Sequence, residues 1–216
     1  MTFKLPKLIA TSVVRGSVQG ESHGGIYTVD FEKKEAEQHV DWNTSNIDFE
    51  GRGADRGLRG ICFNEEDIYI AASDELFCYD KNFKNKGSIK NRYLKHAHEI
   101  CRMENRIFLT STGFDSLLSF NLEAKQFDWG FQLRKEYDQW TGGLFDPRKP
   151  IGPRPVNDFH INMIDVNENG IFLSGLKTDG LFHLRADNTV AKVCELPSGT
   201  HNPQFWNEGI IFNDTM

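Results

Sequence analysis

The sequence predicts an all-β fold, a β-propeller with four-stranded blades. Short runs of β-branched and aromatic residues, bounded by Gly, Asn and Asp, recur along the chain. Loosely similar units begin at Arg59, His98, His160 and His201, at spacings of 39, 62 and 41 residues. The middle spacing becomes about 40 once an insertion of 22 residues is set aside. A period of about 40–45 residues with four strands per unit is typical of propeller blades.

We predict a single propeller domain over residues 1–216, because blades bury their faces only against neighbouring blades. The predicted blades are 7–42, 59–94, 95–133 and 159–196, followed by a partial blade at 197–216. The first blade lacks a pattern for its innermost strand, so its three strands match positions two to four. The chain ends directly after a strand, and we therefore expect an incomplete propeller, a fragment of about four blades from a larger one.

The strands of each complete blade follow from short apolar patterns. In the second blade the patterns are ICF, IYIAA, LFCYD and GSIKNRYL. In the third blade they are HEICRM, RIFLTS, SLLSFNL and QFDWGFQL, and the alternation in SLLSFNL favours a strand half buried between blades. The fourth blade repeats this order from Phe159 to Leu196.

Residues 134–158 interrupt the period, and we predict a loop insertion there. The segment holds two adjacent glycines, Gly142 and Gly143, and four prolines. Proline removes a backbone donor, so neither a helix nor a central strand tolerates this density. The insertion joins the outer strand of one blade to the inner strand of the next. We therefore expect it to form a lid or rim on the face where the histidines lie.

The composition excludes several classes of partner. The net charge is −6 with a pI of about 5.7 and no cluster of Lys or Arg, so no nucleic-acid partner is expected. No apolar run reaches about 18 residues and the N-terminal stretch lacks the apolar core of a signal peptide, so we expect no membrane partner and a cytoplasmic location. The four cysteines form no CxxC pair and lie in predicted strands, which favours buried, reduced thiols.

Three histidines at the starts of inner strands form the candidate site. The first strand of each propeller blade lines the central channel, so equivalent positions in successive blades form a ring. His98, His160 and His201 at one register place three imidazoles around one opening. Three neutral imidazoles are able to hold a divalent metal such as Zn, Fe or Mn and leave an open coordination position. Arg59 replaces histidine in its blade, where a guanidinium suits an anion such as a carboxylate or phosphate.

Four interpretations of the three histidines stay open. In the first, the histidines are hydrogen-bonding caps without a ligand, because repeats reuse residue types for structure. In the second, the channel mouth binds a polar small molecule or sugar-like group through Arg59, His98, His160, Asn162, His201 and Asn202. In the third, His98, His160 and His201 hold the metal of a hydrolase or lyase, and Glu99 or Asp115 is the general base. In the fourth, the propeller is a protein-interaction scaffold.

Three short motifs resemble those of a group of uncharacterised bacterial propeller proteins of unknown function. That group carries H-D-I, H-L-N-G and P-H-S-P-R-W in this order. Here the counterparts are His98-Glu99-Ile100, His160-Ile161-Asn162-Met163 and Thr200-His201-Asn202-Pro203-Gln204-Phe205, and a proline-bearing insertion precedes the second motif. The departures are Met163 for Gly and Asn202-Pro203-Gln204 for Ser-Pro-Arg. The likeness covers about Gly57 to Asp214 and implies a propeller fold with marked positions, without an established activity.

A weaker likeness runs to lactonase-like six-bladed propellers, which hold a divalent metal in the channel with Glu, Asn and Asp. Propeller lyases of the amidating type hold zinc through three histidines. Both likenesses imply an architecture, and an architecture alone does not fix a function.

Overall fold

The structure, a computed structural model, describes residues 5–18, 20–43 and 57–215. Residues 1–4, 19, 44–56 and 216 belong to the predicted domain 1–216 and lie outside the described residues. The described ranges contain eighteen strands in five antiparallel sheets, together with a single-turn 3-10 helix at Thr112–Phe114 and no α-helix. The sheets are arranged as a β-propeller, so the predicted fold class is confirmed.

The strands are assigned to blades 1 to 5 in chain order. Blade 1 contains β1 (Leu8–Thr11), β2 (Ser22–Asp30) and β3 (Glu35–Asn43). Blade 2 contains β4 (Ile61–Asn64), β5 (Asp67–Ala72), β6 (Glu75–Asp80) and β7 (Asn85–Lys90). Blade 3 contains β8 (Ile100–Met103), β9 (Arg106–Ser111), β10 (Ser116–Asn121), β11 (Gln126–Glu136) and β12 (Gln139–Phe145). Blade 4 contains β13 (Ile161–Asn167), β14 (Gly170–Gly175), β15 (Gly180–Leu184) and β16 (Val190–Glu195), and blade 5 contains β17 (Thr200–Trp206) and β18 (Gly209–Asp214).

The inner strands of successive blades lie against one another around the propeller axis. β4 contacts β8, β8 contacts β13, and β13 contacts β17. The Gly60 N–H donates to the His98 carbonyl at 2.8 Å, which joins two inner strands just before their first residues. The beginnings of the inner strands therefore meet at one end of the channel, which we call the mouth.

The three strands of blade 1 occupy the second to fourth positions of a blade. An isolated bridge joins Val13, just after β1, to Gly57 in the approach to β4. A second isolated bridge joins Ser73, just after β5, to Ala97 in the approach to β8. The two bridges are equivalent, so β1 corresponds to β5, the second strand of its blade. In the described part of the chain, β1 pairs with β2 alone.

The core lies between neighbouring blades, where the faces of successive sheets pack together. Between blades 2 and 3, the rings of Tyr69 and Phe120 lie 6.4 Å apart, next to the fully buried Leu109. Between blades 3 and 4, Phe131 and Phe182 are fully buried. Each buried side chain of this size contributes about 1.5–3 kcal/mol of hydrophobic stabilisation. These contacts hold the inner strands in place at the mouth.

The predicted loop insertion at 134–158 is a strand in its first half. β11 continues to Glu136 and pairs with β12, and the two-residue turn at Tyr137 and Asp138 has positive φ at both positions, as tight hairpins require. Gly142, one of the glycines that favour a loop in the sequence, has a packing role in β12. A Cβ on Gly142 would meet the Phe131 ring at 2.1 Å, so only glycine allows the two strands to pack this closely.

The second half of the insertion, 146–158, has no strand and is tied to the neighbouring blades. The Tyr93 hydroxyl donates to the Lys149 carbonyl at 3.0 Å. The Asn91 side chain donates to the Pro147 carbonyl at 3.2 Å. The Val156 N–H donates to the carbonyl of Gly113 at 3.0 Å. The segment is therefore a strap fixed over blades 2 and 3, and it delivers the chain to β13.

The four cysteines lie in strands β4, β6, β8 and β16, and all of them are free. Cys62 and Cys78 are buried, while Cys101 and Cys194 are half-buried. Burial raises the pKa of Cys62 to about 12, so this thiol stays protonated. Among the described residues, no helix has the length and apolar character needed to cross a membrane.

Candidate functional site

Arg59, His98, Asn162 and His201 each lie five residues before the last residue paired ahead of the hairpin turn of their inner strand. Bulges interrupt this count in β13, between Ile161 and Met163, and in β17, between His201 and Gln204. His160 lies two residues before Asn162. The common register of the three histidines stays a prediction. His160 still reaches the same cluster, since its ring centroid lies 5.3 Å from that of His98.

The backbone of His160 is held by the Asp115 carboxylate. Its Oδ2 accepts the N–H groups of Asp158 at 2.7 Å and Phe159 at 3.1 Å, and its Oδ1 accepts the N–H of His160 at 2.9 Å. His160 has a φ of 55°, a left-handed conformation that costs about 1–2 kcal/mol for a residue with a Cβ. The three charge-assisted hydrogen bonds offset this cost and fix where the strap meets β13.

Asp115 is therefore a positioning residue rather than an available base. Its side chain is fully buried, and both carboxylate oxygens are engaged by backbone N–H groups. Burial raises the pKa of Asp115, and the backbone N–H donors act in the opposite direction. A general base must come within hydrogen-bond reach of a substrate proton, and this carboxylate is enclosed by the chain. Of the two predicted bases, Glu99 alone keeps that role as a prediction.

The His98 ring is oriented through its Nδ1 atom. Nδ1 lies 2.8 Å from the His96 carbonyl and 2.8 Å from the Thr112 hydroxyl oxygen. The Thr112 hydroxyl donates its own proton to the Ile161 carbonyl, so both neighbours of Nδ1 are acceptors. The Nδ1 atom of His98 therefore carries the proton. In the neutral ring, Nε2 is then the nitrogen with the lone pair.

The other two histidines are held in the same way. The Nδ1 of His201 lies 3.1 Å from the Gly199 carbonyl and 2.9 Å from the Thr215 hydroxyl, whose proton goes to the same carbonyl. The Nδ1 of His160 lies 3.1 Å from the Asn157 side-chain oxygen. The hydrogen bonds of these three rings to other described residues are made through Nδ1. Each imidazole thus uses Nδ1 for orientation and presents Nε2.

Two imidazoles of the cluster, those of His98 and His160, resist protonation. Burial, followed by the charges of Arg59 and His160, lowers the pKa of His98 to about 3. Burial, followed by the charges of His201, Lys177 and Arg59, lowers the pKa of His160. His98 is therefore neutral at physiological pH. The nearby basic groups act together against any further positive charge at the mouth.

Asn162 is a buried amide with both of its polar atoms unpartnered. It is 4% exposed and lies in a β-bulge between Ile161 and Met163. The neighbouring Ser174 hydroxyl is also buried without a partner. Buried polar atoms that lack partners are rare and costly, at about 1–3 kcal/mol each, and point to an unseen water or ligand. Asn202, the last predicted ligand-binding residue, accepts from the Gln204 side chain at 3.4 Å.

Glu99 lies below the mouth, where a cavity of about 210 Å³ opens between the inner strands β8, β13 and β17. Cys101, Asp165 and Gln204 also line this cavity. Burial raises the pKa of Glu99 to about 7, and the N–H donated by Ile100 at 3.1 Å acts in the opposite direction. A carboxyl group that titrates near neutrality in a cavity is suited to general acid–base work.

Within residues 5–18, 20–43 and 57–215, no group of three or more His, Cys, Asp or Glu side chains is arranged to hold a metal ion. His98, His160 and His201 all belong to these ranges. Their Nε2 lone pairs are the right kind of donor for a divalent metal. The three-histidine metal site stays a prediction.

A second cavity of about 560 Å³ lies at the hairpin-turn ends of blades 3 and 4, away from the strand beginnings that form the mouth. Phe108 and Trp129 form its aromatic wall, and Arg106, Glu168 and Arg185 lie at its polar edge. None of the predicted site residues lines it. The sequence places Trp129 in the strand pattern QFDWGFQL. That pattern does not distinguish a tryptophan in a cavity wall from one in the core.

Comparisons with solved structures agree with the propeller fold. A Bacteroides fragilis protein provisionally named a 6-phosphogluconolactonase is 13% identical, with a TM-score of 0.56 over 96% of this chain and 61% of that one. The virginiamycin B lyase of Staphylococcus aureus is 13% identical, with a TM-score of 0.50 over 87% of this chain and 69% of that one. The chain thus spans less than two thirds of the lactonase-like structure. At these identities the likeness shows the fold alone.

No protein-family model and no curated protein matches the chain significantly. The lactonase-like and lyase neighbours agree with the weaker of the two sequence resemblances. The resemblance to the motif-bearing group of bacterial propellers has no such support and stays a prediction.

Proposed function

We propose that the protein is a binding module that holds a polar small molecule at the channel mouth. The observation that carries the proposal is the common arrangement of three imidazoles, each fixed through Nδ1 and each presenting Nε2. Preorganised polar groups of this kind fix the orientation of a ligand at little entropic cost. The residues assigned to the site are Arg59, His98, His160, Asn162, His201 and Asn202.

The strap supports this proposal through the position of its last residues. Asp115 fixes residues 158–160, so the strap delivers His160 to the cluster. It also holds the edge of the site through Asn157, whose side-chain oxygen accepts from His160. In this proposal, residues 157–160 form the rim that borders the histidine site.

The proposal is tested by NMR on the full chain, with the histidine ring Cε1–H resonances observed during titration with a library of sugars, amino acids and small metabolites. At least one ligand is expected to shift the resonances of His98, His160 and His201 together. The variant His201→Gln is expected to weaken that ligand by about tenfold, the effect of losing one hydrogen bond to a buried polar group. His39→Gln is the matched control, since His39 lies on the outer strand β3.

A folded protein whose three mouth histidines respond to no member of the library contradicts the proposal. The protein-interaction scaffold then becomes the better interpretation.

The metal-dependent hydrolase or lyase remains a second candidate because of Glu99. The observation that favours it is the Glu99 carboxyl group, whose pKa burial raises to about 7 and which lines the cavity between β8, β13 and β17. Elemental mass spectrometry on protein purified without a His tag is the test. About one transition metal per chain, lost in His160→Ala, favours the enzyme, whereas no metal above background after supply of Zn, Fe and Mn removes this candidate.

A further inference from the structure

The cavity of about 560 Å³ between blades 3 and 4 lies at the end of the blades opposite the mouth. Small-molecule sites in proteins have volumes of about 300–1,000 Å³, so this cavity has room for a ligand. Blade 3 supplies its aromatic wall from β9 and β11, and blade 4 supplies its polar rim from the turns after β13 and β15. None of these elements contributes a residue of the histidine cluster to the cavity.

We propose that this cavity is a second binding site and that it takes a neutral sugar ring, a pyranose. The site is separate from the one that the proposed function uses at the mouth. The proposal follows from three features of the cavity: a partly exposed aromatic ring, a lining whose formal charges cancel, and a rim that both donates and accepts hydrogen bonds.

Trp129 provides the aromatic surface. Its indole ring is half-buried and makes an edge-to-face contact with the buried Phe108, with the ring centroids 6.0 Å apart. It also stacks on Phe131, with an angle of 12° between the ring planes. These contacts orient the ring while part of it stays open to the cavity. The face of an aromatic ring carries partial negative charge, so it attracts the weakly positive C–H groups on one face of a pyranose.

The formal charges around the cavity cancel. The Arg106 guanidinium donates to both carboxylate oxygens of Asp128, at 2.6 and 3.2 Å, and to the Ser119 hydroxyl at 3.0 Å. The charge of Arg106 is therefore matched within the protein. The second arginine that lines the cavity, Arg185, shares its rim with the carboxylate of Glu168. Two guanidinium groups balanced by two carboxylates give no net charge to attract an ion, which favours a neutral ligand.

The rim offers the mixed donors and acceptors that sugar hydroxyl groups need. Asn169 and Asn188 line the cavity with exposed side-chain amides, each of which has a donor and an acceptor. The Asn169 carbonyl accepts from the His183 ring at 2.9 Å, which holds the first turn. The Asn188 N–H donates to the Arg185 carbonyl at 2.9 Å, which holds the second. Polar groups on ordered turns beside an aromatic ring orient a ligand at little entropic cost.

The test follows the indole N–H resonance of Trp129 in the full chain, assigned through Trp129→Phe. The probes are the methyl pyranosides of glucose, galactose, mannose and N-acetylglucosamine, with sorbitol as an acyclic polyol and phenol as a flat aromatic compound. We expect at least one pyranoside to shift the Trp129 resonance. Sorbitol has no ring face and is expected to have no effect.

Trp129→Ala is expected to weaken binding of that pyranoside by about tenfold, whereas Trp129→Phe keeps an aromatic face and is expected to retain most of the affinity, as ligand-observed NMR measures it. Arg185→Ala changes an exposed side chain and is expected to weaken binding by about fivefold, the effect of one lost hydrogen bond. It keeps the test decisive if Trp129→Ala does not fold. Trp206→Ala and Arg154→Ala are the matched controls, at exposed residues outside the cavity, and are expected to change nothing.

Several results overturn the proposal, and none of them is the result that overturns the proposed function. If the pyranosides shift the mouth histidines and leave Trp129 unchanged, the second site is wrong and the binding function at the mouth stands. If sorbitol binds as tightly as the pyranosides, or phenol binds and no pyranoside does, the ligand class is wrong. Pyranoside binding that Trp129→Phe and Arg185→Ala weaken no more than the controls places the sugar elsewhere. No response of Trp129 to any probe removes the site.

Discussion

His98 and Glu99 are consecutive residues whose pKa values are shifted so that both side chains lose their charge. Burial is the leading cause for each, lowering the pKa of His98 to about 3 and raising that of Glu99 to about 7. Between these values the imidazole and the carboxyl group are both neutral. The two side chains are neighbours in sequence, but adjacent residues of a strand point to opposite faces and enter separate environments.

Glu99→Gln tests the raised pKa of the carboxyl group. Its folded pKa lies above the ordinary value of 4.5. The stabilisation is therefore present below about pH 4.5 and lost as the pH rises through 7. Gln resembles the protonated acid, so the variant is expected to match the wild type at pH 4, below the unfolded pKa. At pH 9 it is expected to be more stable by about 2 kcal/mol, a value reduced for the partial solvent contact of the side chain.

Urea denaturation at about pH 4, 7 and 9 measures this difference in the free energy of unfolding. The exposed Glu208 provides the control, and Glu208→Gln is expected to leave the pH profile unchanged. A wild-type profile that Glu99→Gln does not alter contradicts the raised pKa.

At the scale of the element, the Asp115 carboxylate and the strap form one device that positions His160. Aspartate at the end of a 3-10 turn is a common sequence feature, and nothing in the sequence indicates that its partners are 43 to 45 residues away. The glycine and proline content of the insertion was informative for residues 146–158. It was misleading for β12, because glycine also allows close strand packing. Gly142 allows close packing against the Phe131 ring, and this contact between two strands is visible only in the folded structure.

Asp115→Asn tests this device. Asparagine keeps the volume but offers one acceptor oxygen, and its amide meets N–H donors unfavourably. We expect a loss of about 2–3 kcal/mol in the free energy of unfolding, since hydrogen bonds to a charged group are worth about 1.5–3 kcal/mol each. The amides of Asp158 and His160 are expected to exchange hydrogen faster.

Hydrogen exchange followed by NMR gives the local result, and urea denaturation gives the global one. Asp187→Asn is the matched control, because Asp187 accepts the Thr189 N–H at 3.0 Å in an exposed turn. Unchanged protection of residues 158–160 in Asp115→Asn would show that the strap is held by other contacts.

At the scale of the whole molecule, the packed surfaces between neighbouring blades supply the hydrophobic core.

The repeat period in the sequence was sufficient to predict the propeller, since each unit carries its own strand and turn pattern. It was not sufficient to place the site exactly, because the insertion changes the count between blades 3 and 4. From Arg59 to His98 and from Asn162 to His201 the spacing is 39 residues in both cases. His160 lies two residues before Asn162, and bulges in β13 and β17 shift the pairing near both positions, so sequence spacing alone does not fix the register.

Phe120→Ala tests the surface between blades 2 and 3. Phe120 is 1% exposed and contacts Tyr69 and Phe127. Removing a buried phenyl ring is expected to cost about 3–5 kcal/mol, the sum of lost burial and a residual cavity. Ile151→Ala on the strap, where the side chain is 87% exposed, is expected to change stability by less than about 0.5 kcal/mol. Similar urea midpoints for the two variants would contradict an interblade core.

The Nδ1 hydrogen bonds at the mouth also bear on how fast a ligand arrives and leaves. The three rings are already held, and the strap is already tied down by Tyr93 and Asn91. If the proposed binding function holds, a ligand meets a site that does not have to reorganise, and its association is expected to depend on diffusional encounter. Different ligands are then expected to arrive at similar rates, and their affinities are expected to differ mainly through residence time.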